Sequence, residues 1–265
     1  MVVIDALAYV GESVYLKRKF TADDLIKRMD SNNIDMAVVT APPPGPDYQE
    51  ANKLVYEATK KYSDRLVGFY KMNPQYGKAE LKRAEIAVRD WGFKGFKLDP
   101  KDEGYNVGAS VVNPVMDLAG KLEVPVFFQA GESQFCPPES VAFMAASFPK
   151  VTVMMKHTDI AVRLARHPHL AEEMKNLVFG TYPLRGGHKG VDWFLRGLPK
   201  TLDPRRVVLF LRGLPKALDP RRVVFTTETP FGYPELELKT IELTKVDKEI
   251  LSLIMGENIK RILKL

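Results

Sequence analysis

A single cysteine in 265 residues, Cys136, rules out an internal disulfide and any zinc cluster built on cysteines. It lies in SQFCPPES, a loop running into a helix, and reads as a semi-exposed thiol rather than a nucleophile. No apolar run approaches the roughly 20 residues that span a bilayer. The N-terminus also lacks the basic and apolar regions of a signal peptide, so a cytoplasmic protein without a membrane partner is expected. The net charge of +6 is not gathered into a basic block with interleaved aromatics; Lys and Arg alternate with Glu and Asp along predicted helices, which argues against a nucleic-acid partner. A glycine-rich phosphate loop is missing after the first predicted strand, which counts against a doubly wound dinucleotide-binding sheet.

What is present is an alternation. Val2 to Gly11 (VVIDALAYVG) has the apolar start of a buried parallel strand, with Asp5, Leu7 and Tyr9 on one row at the two-residue period. Thr21 caps a helix to about Asn32 with Leu25 and Met29 inward. Strands are then expected at 35–40, 66–72, 95–98, 124–129, 151–157, 177–182 and 223–228, with helices between them such as 48–62, 78–91, 111–122 and 138–146. Eight strands alternating with helices predict an α/β fold, a closed (β/α)8 TIM barrel forming one domain over residues 1–265. One irregularity interrupts the count. Phe194 to Val208 recurs at Phe210 to Val224, identical except for Thr201 against Ala217, a tandem duplication just before the last strand. Two copies do not make a solenoid, so one copy is expected to feed strand eight and the other to form an added loop or helix at the mouth.

Barrel chemistry sits at the C-terminal ends of the strands. Here those ends carry Leu7 and Tyr9, Thr40, Lys71 and Asn73, Lys97 and Asp99, Gln129, Lys156 and His157, Tyr182, and Thr226 and Glu228. The stretches VVIDALAYVG, GFKGFKLDP, PVFFQAGE, VMMKHTD, FTTETPFG and GENIKRILKL, in that order and spacing, resemble the amidohydrolase superfamily. They are most similar to its branch of metal-dependent hydrolases and decarboxylases related to aminocarboxymuconate semialdehyde decarboxylase. That resemblance implies a metal site whose first strand ends in Asp-x-His-x-His. This chain has Leu7 and Tyr9 in place of the two histidines, Gln129 in place of the fifth-strand histidine, and Glu228 in place of the eighth-strand aspartate. Asp99 replaces a histidine common in the family, and His157 alone matches. Glu228, Asp99 and His157 are a poor ion-binding set by themselves, so no metal and no other cofactor is expected, and native hydrolysis is expected to be lost.

The changes confined to the mouth, together with the duplication, resemble a computationally designed enzyme on a barrel scaffold. A lysine in an apolar barrel loses hydration of its charged form and becomes nucleophilic, which suits a Schiff base and a retro-aldol cleavage. Lys156 ranks first because it is the least expected residue for the family, Lys97 second because it shares a row with Asp99, and Lys71 third. If His157 faces inward, alternation turns Lys156 outward unless the strand has frayed. Tyr9, Tyr182, Glu228 and Asp99 complete the expected catalytic set. Leu7, Phe127, Gln129, Met155, His157 and Thr226 are expected to line a small-molecule site, and Gly180 to make room for Tyr182. Two other readings use the same residues: a proton-transfer catalyst of the Kemp type with Glu228 or Asp99 as base, and a non-catalytic binder or inactive relative. His167, His169 and His188 read as surface or rim residues, while Tyr15, Phe20 and Tyr48 either close over a ligand or pack against loops. Oligomeric state is left open.

Overall fold

A computed structural model describes residues 1–14, 17–43, 45, 48–130, 133–156, 173–181, 219–244 and 246–265. The first strand, β1, spans Ile4–Tyr9, and a short hairpin of β2 (Gly11–Ser13) and β3 (Arg18–Phe20) follows it. Helix α1 (Ala22–Ser31) begins at the predicted cap: Thr21 and Asp24 satisfy each other's backbone N–H in a reciprocal capping box, and Leu25 and Met29 are the buried residues. Then come β4 (Met36–Thr40), α2 (Gln49–Lys61), β5 (Leu66–Gly68), β6 (Tyr70–Lys71), α3 (Gly77–Arg89), β7 (Phe96–Leu98), α4 (Pro100–Glu103), α5 (Asn113–Leu122), β8 (Val126–Phe128) and α6 (Pro138–Ser147). The chain continues through β9 (Val153–Met155), β10 (Leu177–Gly180), β11 (Val223–Val224), α7 (Pro234–Thr244), α8 (Lys248–Ser252), a π-helical turn (Leu253–Glu257) and α9 (Asn258–Leu263).

All barrel pairings are parallel, in the order β1-β4-β5 and β6-β7-β8-β9-β10-β11. The two arcs join because β5 and β6 are one strand broken at Phe69, whose N–H still donates to Val39 O at 2.8 Å. Between β1 and the last strand, Ala6 N–H donates to Phe225 O at 2.8 Å, Glu228 N–H to Leu7 O at 2.9 Å and Tyr9 N–H to Thr229 O at 2.8 Å. These bonds close the ring of a (β/α)8 barrel. Its last regular strand is only Val223–Val224, shorter than the expected 223–228, and single hydrogen bonds to β1 carry the register on to Thr229.

The two-residue period separates two apolar layers. Ala8, Val39, Leu98, Phe128, Met155, Phe179 and Phe225 face the helices, whereas Leu7, Tyr9, Val38, Phe69, Phe127, Met154, Val178 and Val224 fill the barrel. Ile259 and Leu263 of α9 join the inner layer. Gly256 lets the π-helical turn lie against the backbone leading into β1, since a Cβ there would come within 2.4 Å of Val2 O. No helix among the described residues is long and apolar enough to cross a membrane.

Candidate active site at the strand ends

A chain of alternating charges runs along the C-terminal ends of β6, β7, β8, β9 and the segment after β11. Tyr48 Oη donates to Glu103 Oε1 at 2.7 Å, and Lys71 Nζ pairs with the same oxygen at 2.7 Å and with Asp99 Oδ2. Lys97 Nζ donates to Asp99 Oδ1 at 2.7 Å and to Gln129 Oε1 at 3.0 Å. Gln129 Nε2 donates to Glu228 Oε1 at 2.9 Å, Lys156 Nζ lies 3.3 Å from that oxygen, and Tyr9 Oη donates to Gln129 Oε1 at 3.4 Å. Lys71, Lys97 and Asp99 are fully buried, so each charge depends on its partners. Lys156, its side chain 16% exposed, is the most accessible charge of the chain.

The two inner lysines share Asp99 yet titrate in opposite directions. Burial works against the Lys71 ammonium, but Asp99 and Glu103 outweigh it and raise its pKa. Lys97 is equally buried, has Asp99 as its contacting carboxylate and feels Lys71 as a like charge, so its pKa is lowered. Asp99 resists its own desolvation through Lys71 and Lys97 and stays below the usual carboxylate range, while at Glu103 burial outweighs Lys71 and raises the carboxyl. Aromatic faces support both ammonium groups: Tyr48 lies 4.9 Å from Lys71 Nζ and Phe127 5.6 Å from Lys97 Nζ.

Of the residues singled out in the sequence, the structure brings together Lys71, Lys97, Asp99, Gln129, Lys156, Glu228 and Tyr9. Leu7 and Phe127 belong to the barrel interior beneath them. Two orientations differ from expectation. Met155 faces the helices with Phe128 and Phe179, so it does not line the mouth; Met154 holds the inward place. Lys156 then follows Met154 on the inward row and reaches Glu228, rather than turning outward. The row Asp5–Leu7–Tyr9 is also interrupted, because the β1 register shifts between Asp5 and Ala8. Asp5 instead accepts hydrogen bonds from Thr227 N and Oγ1 and from Leu7 N, and burial raises its pKa to about 7. Thr226 is buried on the wall, its N–H donating to Thr181 Oγ1 at 3.1 Å. At Gly180 an added Cβ would lie 2.7 Å from Thr226 Oγ1, so Thr226 packs against this glycine. Cys136 is buried, not semi-exposed, and burial pushes its thiol up to about 12. His157, Tyr182, Tyr15, His167, His169, His188 and most of the duplicated segment lie outside the described residues.

Two residues, Asn52 and Glu103, escaped the sequence reading, and a third, Asp5, entered it only as a member of the first-strand row. Asn52 on α2 clamps the Lys71 backbone, donating from Nδ2 to its carbonyl at 2.7 Å and accepting from its N–H at 2.9 Å. Glu103 lies in α4, and Asp5 locks the segment before Glu228 to β1. None follows a strand-end pattern, although an Asn at a buried helix position was a usable signal. Glu228 itself adopts a left-handed φ of 55°, which bends the chain at the strand end where its carboxylate meets Gln129.

Among the described residues, no group of three or more His, Cys, Asp or Glu side chains is placed to hold a metal ion. The fold is similar to 2,6-dihydroxybenzoate decarboxylase solved with 2,6-dihydroxybenzoate, at 16% identity and a TM-score of 0.75 over 100% of both chains. It is similar to 5-carboxyvanillate decarboxylase from Novosphingobium aromaticivorans, solved with manganese and 4-hydroxy-3-methoxy-5-nitrobenzoic acid, at 15% identity and a TM-score of 0.74 over 100% of this chain and 96% of that one. A probable 2-pyrone-4,6-dicarboxylic acid hydrolase from Acinetobacter baumannii, solved with citric acid, matches at 16% identity and a TM-score of 0.69 over 100% of both chains. A search of curated protein sequences found no match. These relatives are decarboxylases and a hydrolase, which overturns the expectation of a designed retro-aldolase working through a Schiff base. The amidohydrolase family model matches residues 5–265, and the chain belongs to that family.

Proposed function

We propose that this chain decarboxylates a small aromatic or conjugated carboxylic acid at the barrel mouth, using its own lysines and carboxylates instead of a divalent cation. The observation that carries this reading is the Lys156–Glu228 pair at the accessible end of the buried ion chain. The solved relatives named above were crystallised with carboxylic acids, which supports a substrate of that class.

The donor chemistry does not fit a family-type cation. Leu7 and Tyr9 offer no imidazole, both Asp99 oxygens carry an ammonium, and Glu228 is engaged by Gln129 and Lys156. Three lysines within this set, Lys71, Lys97 and Lys156, repel a dication. Hydrolysis is disfavoured on the same ground, since the Glu228 oxygens are already held and a water would lack a base.

Decarboxylation needs less. The Lys156 ammonium receives the substrate carboxylate beside Glu228. As the bond between the substrate carbon and its carboxylate breaks, neutral CO2 leaves and the like-charge contact with Glu228 is relieved. The electron pair stays on carbon, which takes a proton from Lys156, and the amine recovers its proton from water. Lys97 and Asp99 act as positioning groups that hold Gln129 against Glu228, with Lys71 anchoring Asp99. Tyr9 flanks the mouth, and Leu7, Phe127 and Thr226 pack as the buried floor beneath it.

The test is CO2 release from carboxyl-labelled hydroxybenzoates by protein dialysed against a chelator. Turnover is expected to survive the chelator, and Lys156→Met to lower kcat/KM by about 100-fold or more. Turnover that appears only with added manganese, or that ignores Lys156→Met, refutes the proposal.

A further inference from the structure

Beside the mouth lies a cavity of about 480 Å3, between the β2–β3 hairpin, α1 and the segment after β11. Its size falls in the range of about 300–1,000 Å3 typical of small-molecule sites. Tyr9 belongs to both spaces: its ring lines the cavity and its hydroxyl reaches Gln129 in the mouth. Phe231 packs edge-on against Tyr9 at 5.1 Å between centroids, and Phe20 and Tyr233 add further aromatic wall. Two cations, Lys19 and Arg28, line the same cavity against one carboxylate, Asp24. Asp24 is committed to capping α1 through Thr21. Arg28 reaches Glu235 through its terminal nitrogen at 2.9 Å, while its Nε–H is buried without a hydrogen-bond partner. A buried donor left without an acceptor is costly, and a bound anion would relieve it.

We infer that this cavity is the arm of the substrate site that receives the part of the molecule remote from the reacting carboxylate, and that the substrate is an elongated aromatic dianion. The inference rests on the decarboxylase reading for the mouth and adds the substrate's shape and second charge. The ring system lies against Tyr9 and Phe231, one carboxylate meets Lys156, and the other meets Lys19 and the Arg28 Nε–H. The arrangement offers one negative group the Lys19 ammonium and the unpaired Arg28 Nε–H, and a flat ring the aromatic faces.

Calorimetric titration of the full chain with benzoate and with a para-linked biphenyl dicarboxylate tests it. The dicarboxylate is expected to bind about tenfold or more tightly than benzoate, the equivalent of one further charge-assisted contact. Lys19→Met, at an exposed position where folding is not at risk, is expected to erase most of that advantage, and Phe231→Ala to weaken the dicarboxylate selectively. Lys156→Met is expected to weaken both ligands. If both ligands respond to Lys156→Met but the dicarboxylate ignores Lys19→Met and Phe231→Ala, the arm is refuted and the reading of the mouth stands. If the dicarboxylate responds to Lys19→Met and neither ligand responds to Lys156→Met, the reading of the mouth fails and the cavity is an anion site of its own. Absence of binding by either ligand overturns both.

Discussion

Removing the Asp99 charge tests whether the inner ion chain is held by mutual pairing. In Asp99→Asn, Lys71 keeps Glu103 at 2.7 Å, but the fully buried Lys97 ammonium is left with neutral acceptors alone, the new amide oxygen, Gln129 Oε1 at 3.0 Å and Leu98 O at 3.4 Å. Breaking one side of a buried pair costs about 3–5 kcal/mol, because the surviving charge has lost its counterion. Lys97→Met poses the opposite case: Asp99 keeps Lys71, and a side chain of similar length rests on Phe127, so a loss below about 2 kcal/mol is expected. Urea denaturation at neutral pH measures both, with the slope unchanged and the midpoint moving. The deficit of Asp99→Asn should also shrink as pH rises. Lys97 then folds as the neutral amine and gives up a proton on folding, so the stability lost to that proton is recovered as pH climbs toward the ordinary lysine pKa. Equal losses in the two variants, or a deficit in Asp99→Asn of less than about 1 kcal/mol, would refute the pairing argument.

Asp5 makes a second pH-dependent contribution. Its folded pKa is raised from 3.8 to about 7, so the folded state holds the proton more tightly; the stabilisation is complete below the unfolded value and is lost as pH rises through about 7. Asp5→Asn should therefore compare more favourably with the parent at about pH 8 than at about pH 5 in urea melts, and parallel pH profiles would contradict this. Gly180→Ala should cost about 1–3 kcal/mol because its Cβ meets Thr226 Oγ1 at 2.7 Å, and adding Thr226→Ala should return part of it. Thr21→Ala removes the acceptor for the Asp24 N–H and should lower stability by about 1 kcal/mol in the same assay, with an unchanged midpoint ruling out the cap's contribution.

Where residues act through short-range periodicity, the chain declared itself in advance. Apolar runs of four to six residues between capped amphipathic helices announced the barrel, and strand-end position alone nominated Lys71, Lys97, Asp99, Gln129, Lys156 and Glu228. The side that each residue faces was legible only while the two-residue period held. At β1 a register shift separated Asp5 from the row of Leu7 and Tyr9, and at β9 the inward place fell to Met154 and Lys156 instead of Met155. A one-residue difference in phase sends every side chain of a strand to the other face, and a local pattern has no means of fixing that phase.

The amino-acid order by itself therefore determined the alternation of elements, the layer structure and the kinds of group gathered at the mouth. Pairing was decided in three dimensions. Asn52 and Glu103 come from helices, and Asp5 reaches Thr227 across 222 positions of chain, to fix groups that a linear reading leaves unconnected. Burial and the count of counterions then divide two chemically identical lysines, raising one pKa and lowering the other, because the energy of a charge in a dry interior depends on its neighbours in space.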